Sequence, residues 1–193
     1  MNEPIPFVPR TTAPSSTNPY WIKTTYGGYN KCILINATTG SVLPNCVGYA
    51  WGRFLEENGL TDCNLSRGDA MNWFGNTSDG YQRGQTPKLG AVVCWDNPAT
   101  GGHVSIIEKI YDNGKILTSN SAYNGTRFYM KTLSPPNYYM GSAYTFQGFI
   151  YPPNDFDPTP SHSVTERNKF PWFIYARKLR NKSNYWFILF NML

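Results

Sequence analysis

The sequence predicts an α+β domain, and three observations carry that expectation. A single amphipathic helical run lies near position 50, five strand-like runs follow between positions 91 and 151, and turn-forming residues separate those strands throughout. Charged residues make up only 15% of the chain while 17 Gly and 15 Pro are present, which suits short elements and many turns rather than long helices. With 193 residues and 40% hydrophobic content the chain can fill one ordinary core and still leave a tail. Aromatic content of 16% means that rings must supply much of that core or of a groove.

In chain order, residues 1–19 are rich in Pro, Ser and Thr and are expected to be extended or loose. A main domain is expected over 20–152, entered through the aromatic stretch YWIKTTYGGYNKCI. The first helix is read in PNCVGYAWGRFLEENG. Asn45 is a good N-cap, Val47, Ala50, Trp51 and Phe54 recur on one face, and Gly59 is a natural stop. LSRGDAMNWF is read as a second short helix, with Ser66 and Asp69 at capping-box spacing. GYQRGQTPKLG is a turn-rich connector. The strands are expected at 91–95, 103–110, 115–120, 126–132 and 146–151, with YDNG closing a hairpin and SPPNYYMGS forming a longer loop. Residues 153–163 are read as a linker. Residues 164–193 form a basic, aromatic tail, a short envelope anchor, a piece of a larger binding module or a helix packed on the domain. No internal repeat is visible.

Charge and cysteine usage exclude several classes. The net charge of +5 is uneven: six of the 17 basic residues lie between Arg167 and Lys182, and the body is nearly neutral, which argues against nucleic acid as a partner. The four cysteines form no CxxC pair, and with two histidines they give no zinc spacing. The N-terminus has no apolar h-region, and no 18-residue apolar span exists, so neither a secretory signal nor a membrane helix is expected. Free thiols and synthesis in a cytoplasm follow from that reading.

The chemistry centres on Cys46. It falls in the first turn of the helix, where unpaired amides and the positive end of the dipole favour a thiolate, although a small buried apolar cysteine fits the same place. Of the two histidines, His162 belongs to the linker and is expected in solvent. His103 opens an apolar strand, sharing a face with Ser105 and Ile107, and is either a base or a hydrogen-bonded histidine at a sheet edge. A Cys–His pair also needs a group on the imidazole's other nitrogen. Pairing of the two strands joined by YDNG places Asn120 beside His103; Asn36, Asn124 and Asp96 are rival orienters, and Asn120 also fits as a simple turn-former.

Together these stretches resemble the CHAP domain, the cysteine, histidine-dependent amidohydrolase/peptidase family of phage lysins and bacterial wall hydrolases. The likeness runs from Asn45 to Pro152. PNCVGYAWGRF resembles the nucleophile helix, GDAMNWF the second helix, and GQTPKLGAVVCW the family's entry to its first strand. GGHVSIIEKI resembles the strand carrying the base, TSNSAYNG the segment carrying the third residue, and FQGFIYPP the closing strand. The resemblance implies a papain-like (NlpC/P60-like) fold, with helices packed on an antiparallel sheet, and a catalytic Cys46–His103–Asn120 set. It implies a peptidoglycan hydrolase of phage origin, either amidase or endopeptidase, that acts as a monomer without metal or organic cofactor. Such an enzyme is made in the host cytoplasm and reaches the wall by holin release or on a virion. Cys94 departs from the family's usual small residue and is read as buried. The family's calcium-binding carboxylates have no counterpart, since positions 20–45 contain no Asp or Glu. Tyr26, Tyr29, Trp51, Trp73 and Trp95 are read as core, with a substrate groove as the competing role. Two other functions compete: a bacterial Cys/His hydrolase of another amide, and an inactive wall-binding module.

Overall fold

A computed structural model describes residues 4–15, 17–22, 45–66, 68–122 and 126–158. The helix α2 (Cys46–Asn58) forms where its caps require it. Asn45 is extended, and its side chain accepts a hydrogen bond from Gly48 N at 2.8 Å. Gly59 ends the helix at φ 63°, a left-handed conformation that costs glycine little. A one-turn helix α1 (Pro19–Ile22) packs on α2 through Trp21. The approach is close enough that a Cβ on Gly52 would collide with the Trp21 indole.

Among the described residues, eight strands follow from the alternation of apolar residues and turns: β1 (Ile5–Pro6), β2 (Arg83–Gly84), β3 (Val92–Asp96), β4 (His103–Ile110), β5 (Ile116–Ala122), β6 (Thr126–Leu133), β7 (Thr145–Ile150) and β8 (Phe156–Asp157). Six of them form an antiparallel sheet in the order β2-β7-β3-β4-β5-β6, while β1 and β8 pair in parallel. This is the α+β arrangement expected of a papain-like fold. Both faces of the sheet are buried. Val92, Cys94, Val104, Ile106 and Ile150 meet Val47, Ala50, Trp51 and Phe54 of α2. Val93, Trp95, Ile107, Ile116, Leu133 and Phe149 pack on the opposite face with Tyr138, from the loop after β6. Two-sided burial explains why AVVCW is an uninterrupted apolar run. Burying a side chain such as Phe54 contributes about 2–3 kcal/mol. Trp51, Trp73 and Trp95 all belong to the core.

A buried ion cluster fastens α2 to the sheet. Arg53 donates to both oxygens of Glu108, at 2.9 Å each, to Glu56 at 2.8 Å and to the carbonyl of Val8 at 2.7 Å. Glu108 also accepts from Ser119 Oγ at 2.6 Å and from the Arg10 amide at 2.7 Å. A register shift between Ile107 and Lys109 makes Glu108 the extra residue of a bulge, which turns a carboxylate inward from an apolar strand.

Two expectations change. The second helix is only a 3-10 turn (Ala70–Asn72), and Asp69 makes no side-chain cap. The described part of the N-terminal segment is tied down rather than loose: β1 pairs with β8, Arg10 binds Glu56, and β8 itself lies inside the expected linker. Asn36, Asn124, Tyr26, Tyr29, Cys32, His162 and the 164–193 tail lie outside the described residues.

Candidate active site

Cys46 is the first residue of α2 and is only 8% exposed. Backbone groups of Val104, Val47 and Cys46 itself hydrogen-bond its sulfur and favour the thiolate. Burial outweighs them, so the thiol titrates above its ordinary range rather than below it. Val104 directly follows His103, so the helix start and the start of β4 meet at this sulfur.

The loop before β4 fixes His103. Gly102 has φ 81°, and a Cβ there would lie 2.5 Å from Met71 N and 2.6 Å from Trp95 O, so only glycine fits. Gly102 N donates to Asn97 O at 3.0 Å, and Met71 N donates to Gly101 O at 2.8 Å. The 3-10 turn thus clamps the loop that delivers the histidine. The ring of His103 lies 5.7 Å from that of Trp95 and 6.2 Å from that of Tyr144. Burial is the main reason that its pKa falls to about 4; the Lys131 charge also lowers it, and the bond to Asn120 acts in the opposite direction.

Asn120 on β5 is fully buried, and its Oδ1 lies 3.1 Å from His103 Nε2. The β4–β5 ladder ends at Ile106↔Ser119. His103 and Asn120 therefore stand just past its last pair, near the start of α2. The structure brings together Cys46, His103 and Asn120, three residues from separate stretches of sequence. Cys94 is a buried thiol on β3, its pKa raised chiefly by burial. No cluster of three or more His, Cys, Asp or Glu side chains that could hold a metal ion occurs among the described residues, and no helix among them is long and apolar enough to cross a membrane.

Tyr129, Tyr144 and Lys131 also surround the site, and no local sequence signal marks them. Tyr129 faces Asn120 across the β5–β6 ladder. Its phenol is pushed up to about 12, first by burial and then by the proximity of Cys46 and Tyr144. The strand register reveals Tyr129 and Lys131, and the ring contact with His103 reveals Tyr144, from the loop before β7; TRFYMKT alone marks a strand and nothing more.

Parts of the chain are similar to known proteins. A curated relative, the probable autolysin SsaALP of Staphylococcus aureus, is 39% identical over 56 residues. The match spans 28% of this chain and 21% of the relative, so the chain corresponds to about a fifth of that protein's length. A crystal structure of N-acetylmuramoyl-L-alanine amidase from Staphylococcus aureus aligns at 24% identity with a TM-score of 0.40, covering 55% of this chain and 31% of the other. The family model of the CHAP domain matches residues 36–122, a stretch that contains Cys46, His103 and Asn120.

Proposed function

We propose that the protein is a peptidoglycan hydrolase that cuts an amide bond of the bacterial cell wall with a Cys46–His103–Asn120 set. The observation that carries this reading is the His103–Asn120 hydrogen bond beside a cysteine at a helix start, inside the CHAP match. The autolysin and amidase relatives support the wall as substrate.

In the proposed reaction, His103 Nε2–H donates to Asn120 Oδ1, leaving the lone pair on Nδ1. Nδ1 takes the Cys46 proton as the sulfur attacks the amide carbonyl, so a neutral pair becomes charged only as the bond forms. Backbone amides at the start of α2 stabilise the developing oxyanion. His103 then protonates the departing amine, leaving a thioester on Cys46. Water, deprotonated by the same imidazole, releases the acyl product and restores the thiol.

A finer reading is a lysin of phage origin, supported by the basic, aromatic stretch 164–193, which suits an anionic envelope. The test is clearing of Gram-positive cells by wild type against Cys46→Ala, with mass spectrometry of the digested wall. Lysis lost in the variant supports the hydrolase, and binding without lysis by wild type overturns it in favour of a wall-binding module. A new free N-terminus on L-Ala identifies an amidase; one within the stem or bridge identifies an endopeptidase.

A further inference from the structure

We propose that Thr118 is a positioning residue that acts through Asn120 to hold His103 in its working tautomer. This inference rests on the hydrolase reading above for its kinetic consequence, while the hydrogen-bond chain itself is independent of it.

Thr118 and Asn120 are two apart on β5 and so lie on the same face of the sheet. The Thr118 hydroxyl donates to the Lys131 carbonyl at 3.1 Å. A carbonyl is an acceptor only, so the single hydroxyl proton is committed to Lys131. The Thr118 oxygen must then accept from whatever else it meets. What it meets is Asn120 Nδ2, at 3.0 Å. The same Nδ2 donates to the Thr118 carbonyl at 3.0 Å and reaches the Tyr129 carbonyl at 3.5 Å. The amide nitrogen is thereby fixed on the Thr118 side, and Oδ1 is turned to His103.

An oxygen at that place accepts only, so His103 Nε2 must carry the hydrogen. In the neutral ring the lone pair then belongs to Nδ1. An Asn120 flipped end for end would present an NH2 group to Nε2 and move the ring proton to Nδ1, leaving no base there. A buried carboxylate in the orienter position would enforce the tautomer by charge. A neutral amide cannot, and its direction must come from its own partners. Thr118 supplies two of them, one from the backbone and one from the hydroxyl, and only the hydroxyl is open to substitution.

Thr118→Val removes the hydroxyl at nearly constant shape, Thr118→Ser keeps it, and Thr118→Ala removes it with less bulk. Turnover on purified wall and the 15N NMR pattern of His103 are the readouts. The chain has two histidines, so His162→Gln leaves His103 as the sole imidazole signal. One neutral hydrogen bond is worth roughly a three- to tenfold change in the population it biases. Thr118→Val is expected to lower turnover by about that factor, with the His103 nitrogens shifted toward tautomer-averaged values. Thr118→Ser should restore both. Should Thr118→Val fail to fold by circular dichroism, Thr118→Ala against Thr118→Ser makes the same comparison. An unchanged 15N pattern in the folded variant lacking the hydroxyl overturns the proposal, as does equal impairment of the Ser variant. If Cys46→Ala still cuts the wall, the Cys46 mechanism fails, whereas the 15N pattern continues to report on the Thr118–Asn120–His103 chain.

Discussion

The protonation state of His103 is the property most open to direct measurement. The imidazole is 4% exposed, flanked by the rings of Trp95 and Tyr144, and oriented by a neutral amide. Burial disfavours its cation, and Lys131 adds to that, bringing the pKa from an ordinary 6.5 to about 4. That difference corresponds to roughly 3 kcal/mol. The sign follows from linkage. Between these two values the unfolded chain binds a proton that the folded chain refuses, so stability rises with pH across that interval. The contribution is complete above about pH 6.5 and is lost as pH falls toward 4. The perturbation is therefore a pH titration of wild type and His103→Gln, followed by NMR of the imidazole and by urea unfolding. The wild-type ring should remain neutral to about pH 4. Its unfolding free energy should lose more than that of His103→Gln between pH 6.5 and 4. Because the Cys46 thiol is also raised, alkylation by iodoacetamide should keep accelerating from pH 7 to 9. A His103 cation at pH 7, with an alkylation rate flat from pH 5 to 8, would mean a resting thiolate–imidazolium pair and refute the reasoning.

Two substitutions probe the surroundings. Arg53→Met leaves the buried Glu108 without its bidentate partner, which should cost about 3–5 kcal/mol and lower the melting temperature by roughly 6–20 °C; a shift under about 2 °C in calorimetry would show that the cluster does not fasten α2 to the sheet. Asn120→Ala should slow turnover on purified wall roughly 10- to 100-fold. It should retain more activity than His103→Ala, which loses the proton carrier for both half-reactions; an Asn120→Ala enzyme as fast as wild type would contradict the orienting role.

What the sequence made legible was local. The caps Asn45 and Gly59, the apolar stripe of α2 and the five long strands all follow from residues within a few positions of one another. The Asp112-Asn113-Gly114 turn joins β4 to β5, and that connection allowed Asn120 to be placed beside His103. What stayed hidden depends on distant partners. The helix expected in LSRGDAMNWF is reduced to the Ala70–Asn72 turn: Arg83 takes the carbonyls of Trp73, Phe74 and Asn76, and Met71 N goes to Gly101. Arg83 also pairs with the buried Asp79, which organises a connector that reads only as turns. The role of Glu108 in the strand HVSIIEKI depends on the bulge and on Arg53, neither of which is visible locally. Cys46 divides in the same way: the helix start that favours its thiolate is local, while the burial that outweighs it comes from the sheet.

The central claim is covalent catalysis by Cys46, and trapping the thioester tests it most directly. Wild-type enzyme mixed in excess with solubilised wall fragments, quenched in acid and digested, should yield the Cys46 peptide carrying the mass of an acyl fragment that hydroxylamine removes. Cys46→Ala should show neither adduct nor product. Product formed by Cys46→Ala at the wild-type rate, or an adduct on Cys63 or Cys94 instead, would contradict the account.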